Sequence, residues 1–279
     1  MTEVEQMNMA MQMVRDQCRI DINETITHPP VAISYKTHTI QTKDGLNTYP
    51  TPIGTYGNFS FIQAPPKSLK TFFVSLLTSV YLADNNKFGG ALKGSREGRE
   101  IVHIDTEQGD WHSQRVFKRV ADMNFGYDTS QYHTFALRKE DYKTRVKFIE
   151  YYLDELKSEK KKVGLLVLDG IADLLSDVNN LEESNLLVQR VMRWSVKYDC
   201  HIITVIHSNF GSDKPTGHLG SFLEKKAETQ IQLEKNTQNK GWVTVSCKRS
   251  RNTPFETFSF KLNQLGLPEI IDSDSVYKF

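Results

Sequence analysis

The sequence has little cysteine. Its three residues of that type, Cys18, Cys200 and Cys247, lie too far apart for the paired spacing of a zinc site or a disulfide framework. Reduced, structural thiols are therefore expected. Long apolar runs are also missing: none approaches the ~18 residues that a bilayer-spanning helix needs, so no membrane partner is expected. The N-terminus lacks the basic-then-apolar order of a signal peptide, and the expected location is cytoplasmic. An excess of one charge is absent too, since 35 Lys and Arg stand against 34 Asp and Glu, for a net charge of +1. Attraction to nucleic acid is thus not written into the composition and has to come from local loops. What is present, 38% hydrophobic and 25% charged residues over 279 positions, suits a globular chain with one large core.

Apolar or alternating segments at 59–63, 100–105, 131–137, 163–169 and 201–207 are separated by helical patterns at 71–83, 111–123, 142–160 and 181–198. Val146, Ile149, Leu153 and Leu156 mark the third helix, and Asn180 with Glu183 three positions on reads as a capping box that starts the fourth. This alternation predicts an α/β fold, with a mostly parallel sheet flanked by helices. After residue 225, ETQIQLEK, WVTVSCKRS and ETFSFKLN alternate between short polar turns, which predicts C-terminal antiparallel hairpins extending the sheet. Residues 1–50 are expected to hold a helix, at about 3–19, and a proline-punctuated extended segment; residues 51–279 are expected to form the main domain.

Glycine is absent where it would be most expected. The stretch FSFIQAPPKSLKTFFVSLL runs from a β-like segment through a polar turn into an apolar helix, the layout of a phosphate-binding P-loop. Such a loop turns successive backbone N–H groups onto an anion at a helix N-terminus. Against the pattern G-x-x-x-x-G-K-[ST], the residues are Ala64, Pro65, Pro66, Lys67, Ser68, Leu69, Lys70 and Thr71, followed by Phe72. Ala64 and Leu69 replace the two glycines. A Cβ at a position forced to positive φ costs roughly 1–2 kcal/mol, which a folded domain tolerates.

Three further parts fit nucleotide chemistry. VGLLVLDG ends its apolar run in Asp169, placed to complete a Mg²⁺ site with Thr71. EIVHIDTEQGDW sets Asp105, Glu107 and Asp110 just past a strand, at the carboxyl edge where such sheets bind ligands. Glu107 is the expected base, Asp105 either a cap for the strand or a support for Glu107, and Asp110 a cap for the helix starting near Trp111. HIITVIHSNF supplies His207 and Asn209 at the tip of a strand, as sensors of a terminal phosphate.

Taken in order, these segments resemble the RecA-like ATPase superfamily, and within it the RepA-type hexameric helicases and related ATPases of mobile elements, over about residues 50–265. GNFSFIQAPPKSLKT looks like the Walker A region, HIDTEQ the catalytic-glutamate segment, LLVLDG the Walker B strand and TVIHSN the sensor strand. GHLGSFLEKKAET resembles a segment that often reads R-G-S-x-A-L in relatives, with His218 where Arg is common, and SCKRSRN resembles a late strand carrying basic residues. The resemblance implies ATP and Mg²⁺ as cofactors, with residues 64–72 cradling the nucleotide, Lys70 on the phosphates and Glu107 activating water. It also implies a homo-oligomer, a hexameric ring in which a neighbour's Lys248, Arg249 or Arg251 completes each site. Alternation along WVTVSCKRSR points Lys248 and Arg249 to opposite faces.

In such motors the loop after the sensor strand touches single-stranded DNA. Here it is SNFGSDKPTGHLGS, with Gly211 and Gly217 for mobility, Phe210 as a stacking surface and Lys214 for phosphate contact. ALRKEDYKTR is a second basic stretch that reads more simply as a charged helix start. The expected function is an ATP-driven, helicase-like motor of a replication or mobilisation system. The rival reading is a nucleotide-sensing assembly protein whose altered loop supports little or no hydrolysis. A small-molecule kinase is the weaker third reading, since no arginine-rich lid is evident.

Overall fold

A computed structural model of the chain describes residues 1–43, 45–84, 91–126, 128–209 and 214–271. The first helix, α1 (Glu3–Cys18), starts in a complete capping box between Thr2 and Glu5 and buries none of its residues. Strands β1 (Val31–Thr42) and β2 (Gly45–Thr55) form an antiparallel pair. β3 (Phe59–Ala64) leads into α2 (Lys70–Ala83), and the short β4 (Leu92–Gly94) adds to the far side of β1. Then come β5 (Glu100–Asp105), α3 (Asp110–Met123), β6 (Tyr132–Ala136), α4 (Tyr142–Ser158) and β7 (Val163–Asp169). After a 3-10 turn at Ile171–Leu174 follow α5 (Leu181–Lys197), β8 (His201–His207) and α6 (Gly217–Lys226). The chain continues through β9 (Thr229–Lys235), β10 (Val243–Ser250), β11 (Phe258–Leu262) and β12 (Pro268–Ile271).

Nine strands make the central sheet, in the order β12-β11-β10-β9-β3-β8-β7-β5-β6. The six from β9 to β6 in that order are parallel, while β10, β11 and β12 run antiparallel to their neighbours. Alternation along buried strands divides the core between the two faces. Ile203 and Val205 pack with α2, β1 and the C-terminal strands, whereas Ile202 and Ile206 pack with α4, α5 and α6. The hairpins after residue 225 extend the sheet as expected, with the refinement that β9 joins it parallel to β3. Asn180 caps α5 by accepting from the Glu183 N–H, but the Glu183 carboxylate turns to Ser176, so only half of the expected capping box forms. No helix among the described residues is long and apolar enough to cross a membrane.

Candidate nucleotide site

Strand register brings the predicted residues to one edge of the sheet. Ala64 of β3 stands opposite His207 of β8, and Asp105 of β5 opposite Asp169 of β7. All four are the last residues of parallel strands, so the connections that follow converge at the same carboxyl edge.

The loop from Ala64 to Lys70 takes the turn of a phosphate cradle without glycine. Lys67 and Leu69 both hold φ 60°, and Leu69, at φ 60° and ψ 28°, is the N-cap of α2. The left-handed residue thus falls on the position of the missing second glycine. Ser68 is buried and its hydroxyl donates to the Pro65 carbonyl at 2.6 Å, while the Leu69 side chain packs against the core. The first backbone bonds of α2 run from Phe72 and Phe73 to the Leu69 carbonyl, at 3.0 and 3.1 Å. The N–H groups of Ser68, Leu69, Lys70 and Thr71 have no backbone acceptor among the described residues, which is the condition an anion site requires.

Lys70, Glu107 and His207 meet in a cleft of about 500 Å³ that residues 67–72 also line. The Lys70 amine lies 2.5 Å from Nδ1 of His207, and Nε2 of the same ring lies 3.7 Å from Oε1 of Glu107. Burial lowers the Lys70 pKa, against the opposing pull of Glu107 and Asp169. The neighbouring His207 holds the Glu107 carboxyl below its usual range, against the effect of burial. Asp169 is fully enclosed: burial, then the nearby Glu107 and Asp105, push its pKa up to about 8. Its Oδ2 has no hydrogen-bond partner among the described residues. A buried, unpartnered carboxylate oxygen beside Lys70 suits a cation. Among the described residues no group of three or more His, Cys, Asp or Glu could hold a metal, but Mg²⁺ is usually held by one or two protein oxygens together with substrate phosphates. Thr71 lines the cleft, and Asp169 lies buried near Lys70.

Asp105 closes the turn that carries Glu107. Fully buried, it accepts from the N–H groups of Glu107 and Gln108, both at 3.0 Å, and from the Ser113 hydroxyl at 2.8 Å. Thr106 ties this turn to the end of β7, donating to the carbonyls of Asp169 and Gly170. Gly170 has φ 105°, and a Cβ there would meet the Thr106 hydroxyl at 2.3 Å. Asp110 does not cap α3. It is the first helical residue behind Gly109 and pairs instead with Lys139, 2.5 Å away.

The remaining candidate residues among the described ones lie outside this cleft. Lys248, Arg249 and Arg251 lie at the opposite edge of the sheet from this cleft, because β10 is antiparallel to β9 and pairs Ser250 with Thr229. A β-bulge between Cys247 and Arg249 also breaks the alternation, leaving Lys248 and Arg249 both exposed. Arg251 donates to the Lys226 carbonyl at 3.0 Å. Gly217 is not a mobile hinge but the first residue of α6, packed so that a Cβ would lie 2.6 Å from the Val178 carbonyl oxygen. Phe210 and Gly211 lie outside the described residues, and Lys214 is exposed at the end of the same connection. In the second basic stretch, Arg145 is spent on the carbonyls of Leu137, Arg138 and Asp173.

Three cleft residues were missed in the sequence: His112, Arg115 and Arg119 of α3. Their spacing of three and then four residues, which puts them on one helical stripe, was the available signal.

Residues 54–213, more than half of the chain, match a family model described as an AAA domain. A crystal structure of the RadB recombinase superposes with a TM-score of 0.51 at 16% identity, covering 78% of this chain and 92% of that one, which establishes a RecA-like fold. A 90-residue stretch is 31% identical to ribosomal RNA small subunit methyltransferase H of Clostridioides difficile (strain 630), covering 30% of this chain and 29% of that protein. The chain thus spans less than a third of the length of this curated relative.

Proposed function

Because the chain belongs to the AAA domain family, we propose that it binds ATP with Mg²⁺ at residues 64–72 and hydrolyses it. The observation that carries this reading is the left-handed backbone at Lys67 and Leu69, which forms the cradle where the sequence has no glycine to make it easy. Lys70 neutralises the phosphates, and residues 68–71 donate their N–H groups to them. Thr71 and Asp169 hold Mg²⁺, which supplies charge neutralisation at the terminal phosphate. Glu107 orients the attacking water and accepts its proton, and it gains basicity when His207 moves from its carboxylate to the terminal phosphate. The test is ATP turnover by the wild type, Lys70→Ala and Glu107→Gln. Background rates in all three would defeat the hydrolytic reading, and failure of the wild type to bind Mg·ATP would defeat the reading as a whole.

The finer reading is a helicase-like motor: a homo-oligomer, a hexameric ring acting on single-stranded DNA, of the RepA type. It is supported by the recombinase fold and by Lys214, exposed in the connection after the sensor strand. Lys248, Arg249 and Arg251 serve this reading only across a subunit interface, since their own cleft is at the other edge. Stimulation of turnover by single-stranded DNA and its loss in Lys214→Ala are expected; a rate indifferent to DNA would sink the motor. A second reading, a nucleotide-sensing assembly protein, is favoured by the Lys70–His207–Glu107 chain, in which the catalytic groups engage one another. Tight ATP binding without turnover would decide for it.

A further inference from the structure

The cleft beside the P-loop has a cationic wall that none of the sequence motifs supplied. Arg115 and Arg119 of α3 line it together with His112, Lys67 and Lys70, with Glu107 the one acidic residue among its lining groups. Arg119 is clamped onto the first turns of α2: its guanidinium lies 3.7 Å from the Phe72 ring centroid and donates to the Ser75 hydroxyl at 3.0 Å. Ser75 in turn donates to the carbonyl of Thr71, so Arg119 is positioned against the residues that follow the cradle. Arg115, one turn earlier, is exposed and stacks over Trp111 at 4.8 Å.

Among the described residues neither arginine has a carboxylate partner. Burial, and then the like charge of Arg115, lower the pKa of Arg119. Half-burying a guanidinium next to a second one, without a counter-charge, is unfavourable unless an anion completes the arrangement. Arginine's planar fork is well matched to phosphate oxygens.

We propose that Arg115 and Arg119 are phosphate-binding residues acting in cis, on the phosphate chain of the nucleotide held by the same chain's own loop. This rests on the nucleotide-binding reading above and deepens it. It moves the arginines that complete the site from a neighbour's late strand to a helix of the same subunit.

The experiment is equilibrium binding of Mg·ATP and of inorganic tripolyphosphate by isothermal titration calorimetry, on the full chain. Wild type, Lys70→Ala, Arg115→Ala and Arg119→Ala are compared, with thermal melts as folding controls. Arg115→Ala and Arg119→Ala are expected to weaken both ligands about tenfold or more, as charge-assisted contacts to phosphate do when removed. A purely structural clamp between α3 and α2 would not weaken tripolyphosphate in the exposed Arg115→Ala variant, which stays decisive even if Arg119→Ala unfolds. A mixture of Lys70→Ala and Arg115→Ala chains separates cis from trans. In cis every site keeps one defect and tight binding stays lost; recovery of tight binding in the mixture would overturn the proposal. If wild type binds, Lys70→Ala does not, and the arginine variants bind normally, this inference falls alone. If wild type binds neither ligand, the nucleotide reading itself falls.

Discussion

The sharpest test of the glycine-free cradle is a comparison of Leu69→Gly with Leu69→Ala. Leu69 has φ 60° and ψ 28° and packs, half-buried, against the core. Both variants lose that packing, about 1 kcal/mol for part of a leucine side chain. Alanine keeps a Cβ in the left-handed region, at about 1–2 kcal/mol, whereas glycine does not. Glycine adds back about 0.5–1 kcal/mol through the greater freedom of the unfolded chain. The glycine variant should therefore be the more stable of the two by about 0.5–1 kcal/mol, reversing the ordinary helical order, in which alanine leads by about 1 kcal/mol. Urea unfolding of both variants checks this, read as a midpoint difference of about 0.3 M at constant slope for a chain of this size. An alanine variant as stable as the glycine variant, or more so, would refute the left-handed N-cap and with it the shape of the cradle.

Gly170→Ala puts a Cβ at φ 105°, 2.3 Å from the Thr106 hydroxyl and 2.7 Å from Cγ of Glu107. A loss of about 2–4 kcal/mol is expected in a thermal melt, with a fall in ATP turnover as Glu107 is pushed aside. Asp169→Asn should abolish the Mg²⁺ dependence of ATP binding in a metal titration while leaving the fold at least as stable, because the carboxyl it replaces is buried with an unpartnered oxygen. His103, fully buried, has its pKa lowered to about 3 by burial, so in acid the unfolded chain takes up the proton first. Stability should fall below pH ~6.5 by up to about 1.4 kcal/mol per pH unit, and His103→Gln should make that limb shallower in pH-dependent denaturation.

The sequence made the parallel core legible because buried strands there are nearly continuous apolar runs that end in turn residues. VGLLVLD and HIITVIH match β7 and β8 to the residue. Carboxyl-edge placement of Lys70, Glu107, Asp169 and His207 followed from the same alternation. What escaped depended on contacts between distant segments. β2 was hidden by Pro50 and Pro52, which a central strand would exclude, but β2 is the edge of the three-stranded sheet. α6 was hidden by Gly217 and Gly220, which read as loop residues. Both are small because Val178 and Pro215 crowd them, each with an atom 2.6 Å from where a Cβ would stand. Arg115 and Arg119 were visible as a helical stripe, yet only the packing of α3 against α2 shows that the stripe faces the cradle.

A phosphate loop without glycine has a physical logic that ties these observations together. Glycine makes a left-handed turn accessible, but it also leaves the loop free to leave that turn, so ordering it costs entropy when a ligand binds. Here the turn is imposed from outside: Pro65 and Pro66 restrict φ, the Ser68 hydroxyl closes onto Pro65, and Leu69 is anchored by its own side chain in the core. Two left-handed residues cost about 2–4 kcal/mol at roughly 1–2 each, a strain the folded state carries whether or not ligand is present. In return, little conformational freedom remains to be lost on binding. A rigid cradle of this kind favours holding phosphate over rearranging around it. On the nucleotide-binding reading proposed above, the mobile part of the cycle falls to the side chains, with Lys70 expected to exchange His207 for phosphate and Glu107 to be released toward water.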